Sequence, residues 1–258
     1  MPELRTGFTV PLEPDLSRSI EWGADAGFDF VELLLDGPFA RDRLGPRRGA
    51  VADLLAAAGL DLVVHLPFAV DVGSPFAPVR EGAVAELAAG VELADALGAE
   101  TAVVHPQSRA WGLGWSVDER RGFVRDGLGD LRERTAGLDP ILAVENAGDT
   151  FPIDAFGDLL GTVGLPATFD TGHAALDGFS ATEMADFLAA HRDRIRHVHL
   201  SDTRGGADEH LPVGMGTIDF ETALAPLLDG WSGTATHEVG TEDFDAIALG
   251  KRHFDELR

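Results

Sequence analysis

The sequence predicts an eight-stranded parallel β/α barrel, and three features carry that prediction. Short apolar runs alternate with longer amphipathic stretches along the whole chain, which is the pattern of repeated βα units and a parallel sheet. Most of the runs are continuously apolar rather than alternating, as suits strands buried on both faces. Six of them end in a residue able to bind a metal: Leu62-Val-Val-His65, Thr101-Ala-Val-Val-His105, Ile141-Leu-Ala-Val-Glu145, Ala167-Thr-Phe-Asp170, Ile195-Arg-His-Val-His199 and Thr234-Ala-Thr-His-Glu238. These imidazoles and carboxylates would stand at the carboxyl ends of successive strands, where a β/α barrel builds its active site.

Eight units follow in order. A strand over Gly7–Leu12 leads to a helix from about Leu16 to Ala26, and Phe28–Leu34 leads to a helix within Arg43–Ala58. Leu62–Leu66 precedes a helix within Pro78–Leu97, where Val84, Leu87, Ala88, Val91 and Leu93 keep helical spacing and Gly98 ends it. Thr101–His105 precedes Val117–Thr135, and Ile141–Glu145 precedes Ile153–Val163. Ala167–Asp170 leads to Ala181–His191, with Ser180 as N-cap ahead of Glu183. Ile195–Leu200 leads to Phe220–Leu228, and Thr234–Glu238 to a last helix within Thr241–Leu257. With no break in composition, residues 1–258 are expected to form one barrel domain.

Composition narrows the chemistry. The chain has no cysteine, so disulfides, thiolate metal sites and thiol nucleophiles are excluded, and any bound cation must rest on nitrogen and oxygen. No apolar run is long enough to cross a bilayer, and Met1-Pro-Glu-Leu-Arg-Thr is not a basic segment leading into an apolar one. A cytoplasmic protein without membrane partners is expected. Its net charge of −24, with Lys251 the only lysine, suits the salt-loaded cytoplasm of a halophile. At low salt that charge repels phosphate backbones, but concentrated salt screens it.

A metal needs several ligands converging on one point, and a barrel brings strand ends together across long stretches of sequence. Glu145, Asp170, His199 and Glu238 make a mixed carboxylate and imidazole set suited to zinc, manganese or a similar divalent ion. Asp170-Thr-Gly-His173 adds an imidazole, with Gly172 expected to let the backbone bend both side chains toward one centre. Asp208 and His210 point the same way if their segment is extended. With His65 and His105 the set reaches nine, enough for two or three ions bridged by Glu145.

Each position also has a plainer reading. His65 and His105 could be polar strand ends, Asp208 and His210 a solvated loop, and Asp170 an N-cap. Glu145 and Glu238 fit such a reading least, because a carboxylate is costly at a buried strand end without a partner. His197 should face the same side as His199, one layer deeper, and orient a ligand; Asp202 is expected to serve an imidazole in the same way. His237 should face the helices, and His191 and His253 the surface.

The segments Val-Val-His105-Pro, Val-Glu145-Asn, Phe-Asp170-Thr-Gly-His173, His-Val-His199-Leu-Ser-Asp202 and Pro-Val-Gly-Met-Gly-Thr-Ile-Asp219-Phe resemble the xylose isomerase-like TIM barrel superfamily. The resemblance runs from about Gly7 to Glu238. That superfamily includes sugar phosphate isomerases and epimerases as well as endonuclease IV. The isomerase resemblance implies one divalent ion on Glu145, Asp170, His199 and Glu238, with the two glutamates as acid and base for proton transfer through an enediolate. It also implies that His173 and Arg204 contact substrate oxygens and that Glu32 and Phe68 line the mouth. The endonuclease IV resemblance implies three zinc ions on all nine of His65, His105, Glu145, Asp170, His173, His199, Asp208, His210 and Glu238, a centre suited to phosphodiester hydrolysis.

The reading placed first is a metal-dependent isomerase or epimerase of a small sugar or sugar phosphate. The alternative is a phosphodiesterase acting on abasic DNA, the one reading with a nucleic-acid partner; a barrel that binds metal or sugar without turnover is the third. Leu35-Asp36-Gly-Pro-Phe-Ala-Arg-Asp-Arg43 lacks the asparagine- and arginine-bearing pattern with which endonuclease IV enters DNA. The loop after His199 is also shorter, and no basic, aromatic-interleaved surface is evident. A homo-oligomer is compatible with the sequence.

Overall fold

In the computed structural model, which describes residues 4–13, 15–228 and 230–258, eight parallel strands close into a barrel in sequence order. They are β1 (Leu4–Thr9), β2 (Phe30–Leu34), β3 (Asp61–His65), β4 (Thr101–Val104), β5 (Ile141–Glu145), β6 (Ala167–Asp170), β7 (Ile195–Leu200) and β8 (Gly233–His237). The helices are α1 (Leu16–Asp25), α2 (Arg41–Leu44), α3 (Arg48–Ala58), α4 (Ala77–Leu97), α5 (Val117–Arg134), α6 (Ile153–Val163), α7 (Thr171–Leu176), α8 (Ala181–His191), α9 (Phe220–Leu228) and α10 (Phe244–Asp255). Among the described residues no helix is long and apolar enough to cross a membrane.

The barrel closes where Leu4–Phe8 pair with Gly233–His237. That pairing draws β1 toward the amino terminus of the expected Gly7–Leu12 run, and the strand stops ahead of Pro11, which has no N–H to give. The helix expected within Arg43–Ala58 is α3, and a 3₁₀ turn at Gly45–Arg47 that contains Pro46 separates it from the short α2. The α7 turn has no counterpart among the expected helices, because six residues between two capping signals are too few to show helical periodicity. Ser180 caps α8 as expected, in a reciprocal capping box with Glu183.

Two apolar layers hold the barrel. The large one lies between strands and helices, where Phe8, Phe156, Phe169 and Phe254 are fully buried. The small one, Phe30, Val63 and Val103, fills the barrel interior. Gly7 admits the Phe30 ring, since a Cβ there would lie 2.4 Å from it. The Phe30 ring lies 6.0 Å from that of His197, so this plug forms an apolar floor below the polar groups.

Helix α5 packs on the segment that follows β3. A Cβ at Gly127 would fall 2.0 Å from the Val72 carbonyl oxygen, and backbone cannot yield as a side chain can. Gly127→Ala is expected to destabilise by about 1–3 kcal/mol through overpacking, measured as a lowered denaturation midpoint. An unchanged midpoint would show that the helix shifts without cost.

Candidate metal centre

Five carboxylates and six imidazoles converge in the upper half of the barrel. Glu145, at the end of β5, is at their centre and only 1% exposed. Its Oε2 lies 3.2 Å from His65 Nε2, 3.0 Å from His105 Nε2 and 3.5 Å from His199 Nδ1. Its Oε1 lies 3.0 Å from His173 Nδ1. Around a second point, His199 Nδ1 is 3.1 Å from Glu238 Oε2 and 3.8 Å from Asp170 Oδ2. At the mouth, Asp208 Oδ2 is 3.2 Å from His173 Nε2 and 3.0 Å from His210 Nε2, while His210 Nδ1 is 3.7 Å from Glu238 Oε2. All nine residues expected as ligands are thus brought together.

Local structure fixes the strand-borne members. Strands β5 and β6 share only two register pairs, and Asn146 extends their ladder: its side chain accepts from the Asp170 N–H at 2.6 Å and donates to the Asp170 carbonyl at 2.9 Å. Asp170 also caps α7, accepting from the His173 N–H at 2.5 Å, so the cap reading and the inward-facing position both hold. Gly172 has a different purpose from the one expected. A Cβ there would lie 2.6 Å from Ser201 Oγ, so close packing against the end of β7 requires glycine.

The mouth loop hangs from Asp202. Its side-chain oxygens accept from the backbone N–H groups of Thr203, Gly214, Gly216 and Ile218 at 2.7–3.2 Å, and a Cβ on Gly216 would meet its Oδ1 at 2.3 Å. Asp202 therefore organises the loop carrying Asp208 and His210; it does not serve an imidazole as expected. His210 has φ +45°, the only positive φ of any described non-glycine residue, so the loop holds it in a disfavoured conformation.

Other expectations need correction. Glu32 lies on the floor of the cavity rather than at its mouth, with one oxygen 3.2 Å from His197 Nε2 and the other 3.2 Å from His199 Nε2. Arg204 pairs with Glu209 at 3.0 Å and does not line the cavity, whereas Phe68 does, its ring 6.1 Å from that of His105. His253 is partly buried against the Val213 carbonyl oxygen at 2.7 Å, and His191 packs on the Phe187 ring at 4.5 Å; neither is a free surface group. His197 is one layer below His199, and His237 faces outward between Phe28 and Phe254, both as expected.

Charge in the cavity is unbalanced. It encloses about 700 Å³, and no arginine or lysine is among its described lining residues. Burial pushes the Asp170 carboxyl up to about 7, against the opposing pull of His173. Burial would lower the His173 and His210 imidazoles, but the carboxylates around them carry them up to about 12 and about 9. Burial would likewise raise Glu145 and Glu32; neighbouring imidazoles hold both well below the carboxylate range. Protons on imidazoles thus supply the positive charge that a cation would provide.

The donor atoms fit a divalent ion. Asp170 Oδ2, His173 Nδ1, His199 Nδ1, His210 Nδ1 and Glu238 Oε2 are buried with no hydrogen-bond partner, a costly arrangement for polar atoms unless they share a cation. One donor atom from each of Glu145, Asp170, His199 and Glu238 lies within 4.8 Å of the others, and the same holds for His65, His105 and Glu145. Glu145 belongs to both groups.

Known proteins share this architecture. The model of the xylose isomerase-like TIM barrel family matches residues 20–257. The chain belongs to that family. A probable endonuclease 4 of Mycobacterium leprae is 30% identical over 215 residues, covering 77% of this chain and 80% of its own length. Among solved structures of similar fold, a D-tagatose 3-epimerase-like protein is 25% identical with a TM-score of 0.86, covering 98% of this chain and 97% of its own. Endonuclease IV from Thermus thermophilus is 23% identical with a TM-score of 0.77 and 98% coverage of both chains. Both kinds of relative named here are enzymes, and this family member is read as an enzyme too.

Three contributors escaped the sequence reading: Glu32 as a floor residue, Asn146 as a backbone clamp and Asp202 as a loop anchor. Only Glu32 left a trace, as a lone carboxylate within the apolar run Phe30-Val-Glu-Leu-Leu34. Asp202→Ala would strip acceptors from four buried or part-buried N–H groups, at a cost on the order of 3 kcal/mol. Amide exchange should quicken at Gly214, Gly216 and Ile218; wild-type exchange there would refute the anchoring role.

Proposed function

We propose that the chain is a metal-dependent phosphodiester hydrolase whose centre holds more than one divalent ion. The observation that carries this reading is the position of Glu145. Its oxygens lie among the imidazoles of His65, His105 and His173, it is 1% exposed, and it does not border the cavity. An epimerase needs two carboxylates reaching opposite faces of a substrate carbon, and a glutamate so enclosed fits a bridging ligand better. Asp208 and His210 support the same reading, since they join the centre instead of forming a solvated loop.

The nine residues His65, His105, Glu145, Asp170, His173, His199, Asp208, His210 and Glu238 would hold the ions, and five imidazoles with four carboxylates suit zinc or manganese. Bound ions supply Lewis acidity toward a phosphoryl oxygen and a lowered pKa for water. Glu238 borders the cavity with Oε2 free of hydrogen bonds, placed to orient or take up a proton there. Phe68 forms an apolar wall beside His105. With no arginine or lysine among the described lining residues, the cations that displace the imidazole protons would supply the attraction for an anionic substrate.

A second reading, a sugar epimerase with one ion on Glu145, Asp170, His199 and Glu238, is favoured by the cavity itself. Its volume of about 700 Å³ suits a small ligand, and the epimerase-like protein matches nearly the whole chain with a TM-score of 0.86.

Metal analysis and two assays separate the readings. Two or more zinc or manganese ions per chain are expected, with metal-dependent cleavage of a duplex containing an abasic site. Asp208→Asn and His210→Gln should each lower the metal content and slow cleavage by at least about tenfold, given that even residues behind the ligands affect activity by that much. One ion per chain, no cleavage, and deuterium entering a ketose from solvent would overturn the hydrolase in favour of the epimerase.

A further inference from the structure

We propose that Glu32 is a positioning residue for the metal centre: from the barrel floor it fixes the ring of His199 so that Nδ1 presents its lone pair to the cation. The inference rests on the reading that His199, with Asp170 and Glu238, holds an ion. Glu32 reaches across the barrel interior from β2 to β7, its two oxygens 3.2 Å from His199 Nε2 and His197 Nε2. A carboxylate can only accept, so it draws the His199 ring proton to Nε2. Nδ1 faces other carboxylates, 3.1 Å from Glu238 Oε2, 3.5 Å from Glu145 Oε2 and 3.8 Å from Asp170 Oδ2, so a cation held among them would take the place of any proton on Nδ1 while Glu32 keeps the one on Nε2.

A second tier holds Glu32 itself. His197 is fully buried, with Nδ1 2.7 Å from Thr234 Oγ1 and Nε2 3.1 Å from Thr236 Oγ1 as well as facing Glu32. Its ring meets Phe30 edge-on at 6.0 Å, so it cannot turn without disturbing the plug. The chain Thr234, His197, Glu32, His199 runs upward from the apolar floor to the metal position. A carboxylate behind a ligating imidazole fixes its tautomer and raises its basicity. Thr234 and His197 thereby give Glu32 one geometry, and Glu32 gives one to His199.

The test measures zinc affinity by competition with a chelator, and the imidazole ¹H–¹⁵N spectrum of the zinc-loaded protein. In wild type, His199 should show an exchange-protected Nε2–H. Glu32→Ala should weaken zinc binding by about 10- to 100-fold and expose that proton to exchange. Glu32→Gln, which keeps one acceptor oxygen and the shape, should lose less. Wild-type affinity in folded Glu32→Ala and Glu32→Gln would overturn the clamp alone, whereas a wild-type protein that binds no zinc would overturn the functional reading on which it rests. Should neither variant fold, the wild-type spectrum still decides, because a His199 proton on Nδ1 contradicts the proposal.

Discussion

An unpaired carboxylate is costly to keep inside a protein, and this barrel gathers five at one end, with no lysine or arginine among the described residues that line the cavity there. Everything above the floor answers that constraint. Glu145 has imidazoles about both oxygens, Glu32 has His197 and His199, and Asp208 has His173 and His210. Histidine suits this work because it can neutralise a carboxylate with a proton and then release the proton in favour of a metal. A lysine or arginine would neutralise the same charge but would permanently fill the place of the ion.

The fold makes such crowding tolerable by separating tasks between layers. Large apolar side chains between strands and helices supply the burial that stabilises the barrel, so its interior need not be a second hydrophobic core. Phe30, Val63 and Val103 form a small separate cluster there. They exclude water from below, which strengthens the interactions of the charged groups above. Side chains two apart on a strand share a face, so His197 and His199 occupy successive layers inside the barrel and one strand supplies an imidazole to each.

What the sequence disclosed follows from that architecture. In a parallel barrel every strand end points to one rim, so a residue's place at the end of an apolar run nearly determines its place in the site; His65, Glu145, Asp170 and His199 were legible for that reason. The partners of Glu32 lie across the barrel, that of Asn146 on the next strand and those of Asp202 further along its own loop, and no local pattern encodes such meetings. The Asp170 segment read correctly as an inward-facing strand end and a cap, yet the reason for Gly172 lay in Ser201, just past the end of the neighbouring strand. Arg204 and the mouth position of Glu32 came only from resemblance. Loop conformation and side-chain reach vary between relatives, so resemblance placed these two less well than the strand ends.

The nine residues are held in two ways. Seven stand at or next to strand ends or in the first turn of α7, tied to the barrel's own hydrogen bonds. Asp208 and His210 belong to a loop suspended from one aspartate, with His210 in a conformation that non-glycine residues avoid. The scaffold portion is preformed, while the loop portion must be kept in place against its own backbone preference. A change confined to that loop would therefore move two of the nine donors and leave the barrel's own seven where they are. Rim residues and loop residues can thus change independently of one another, although all nine meet at one end of the barrel.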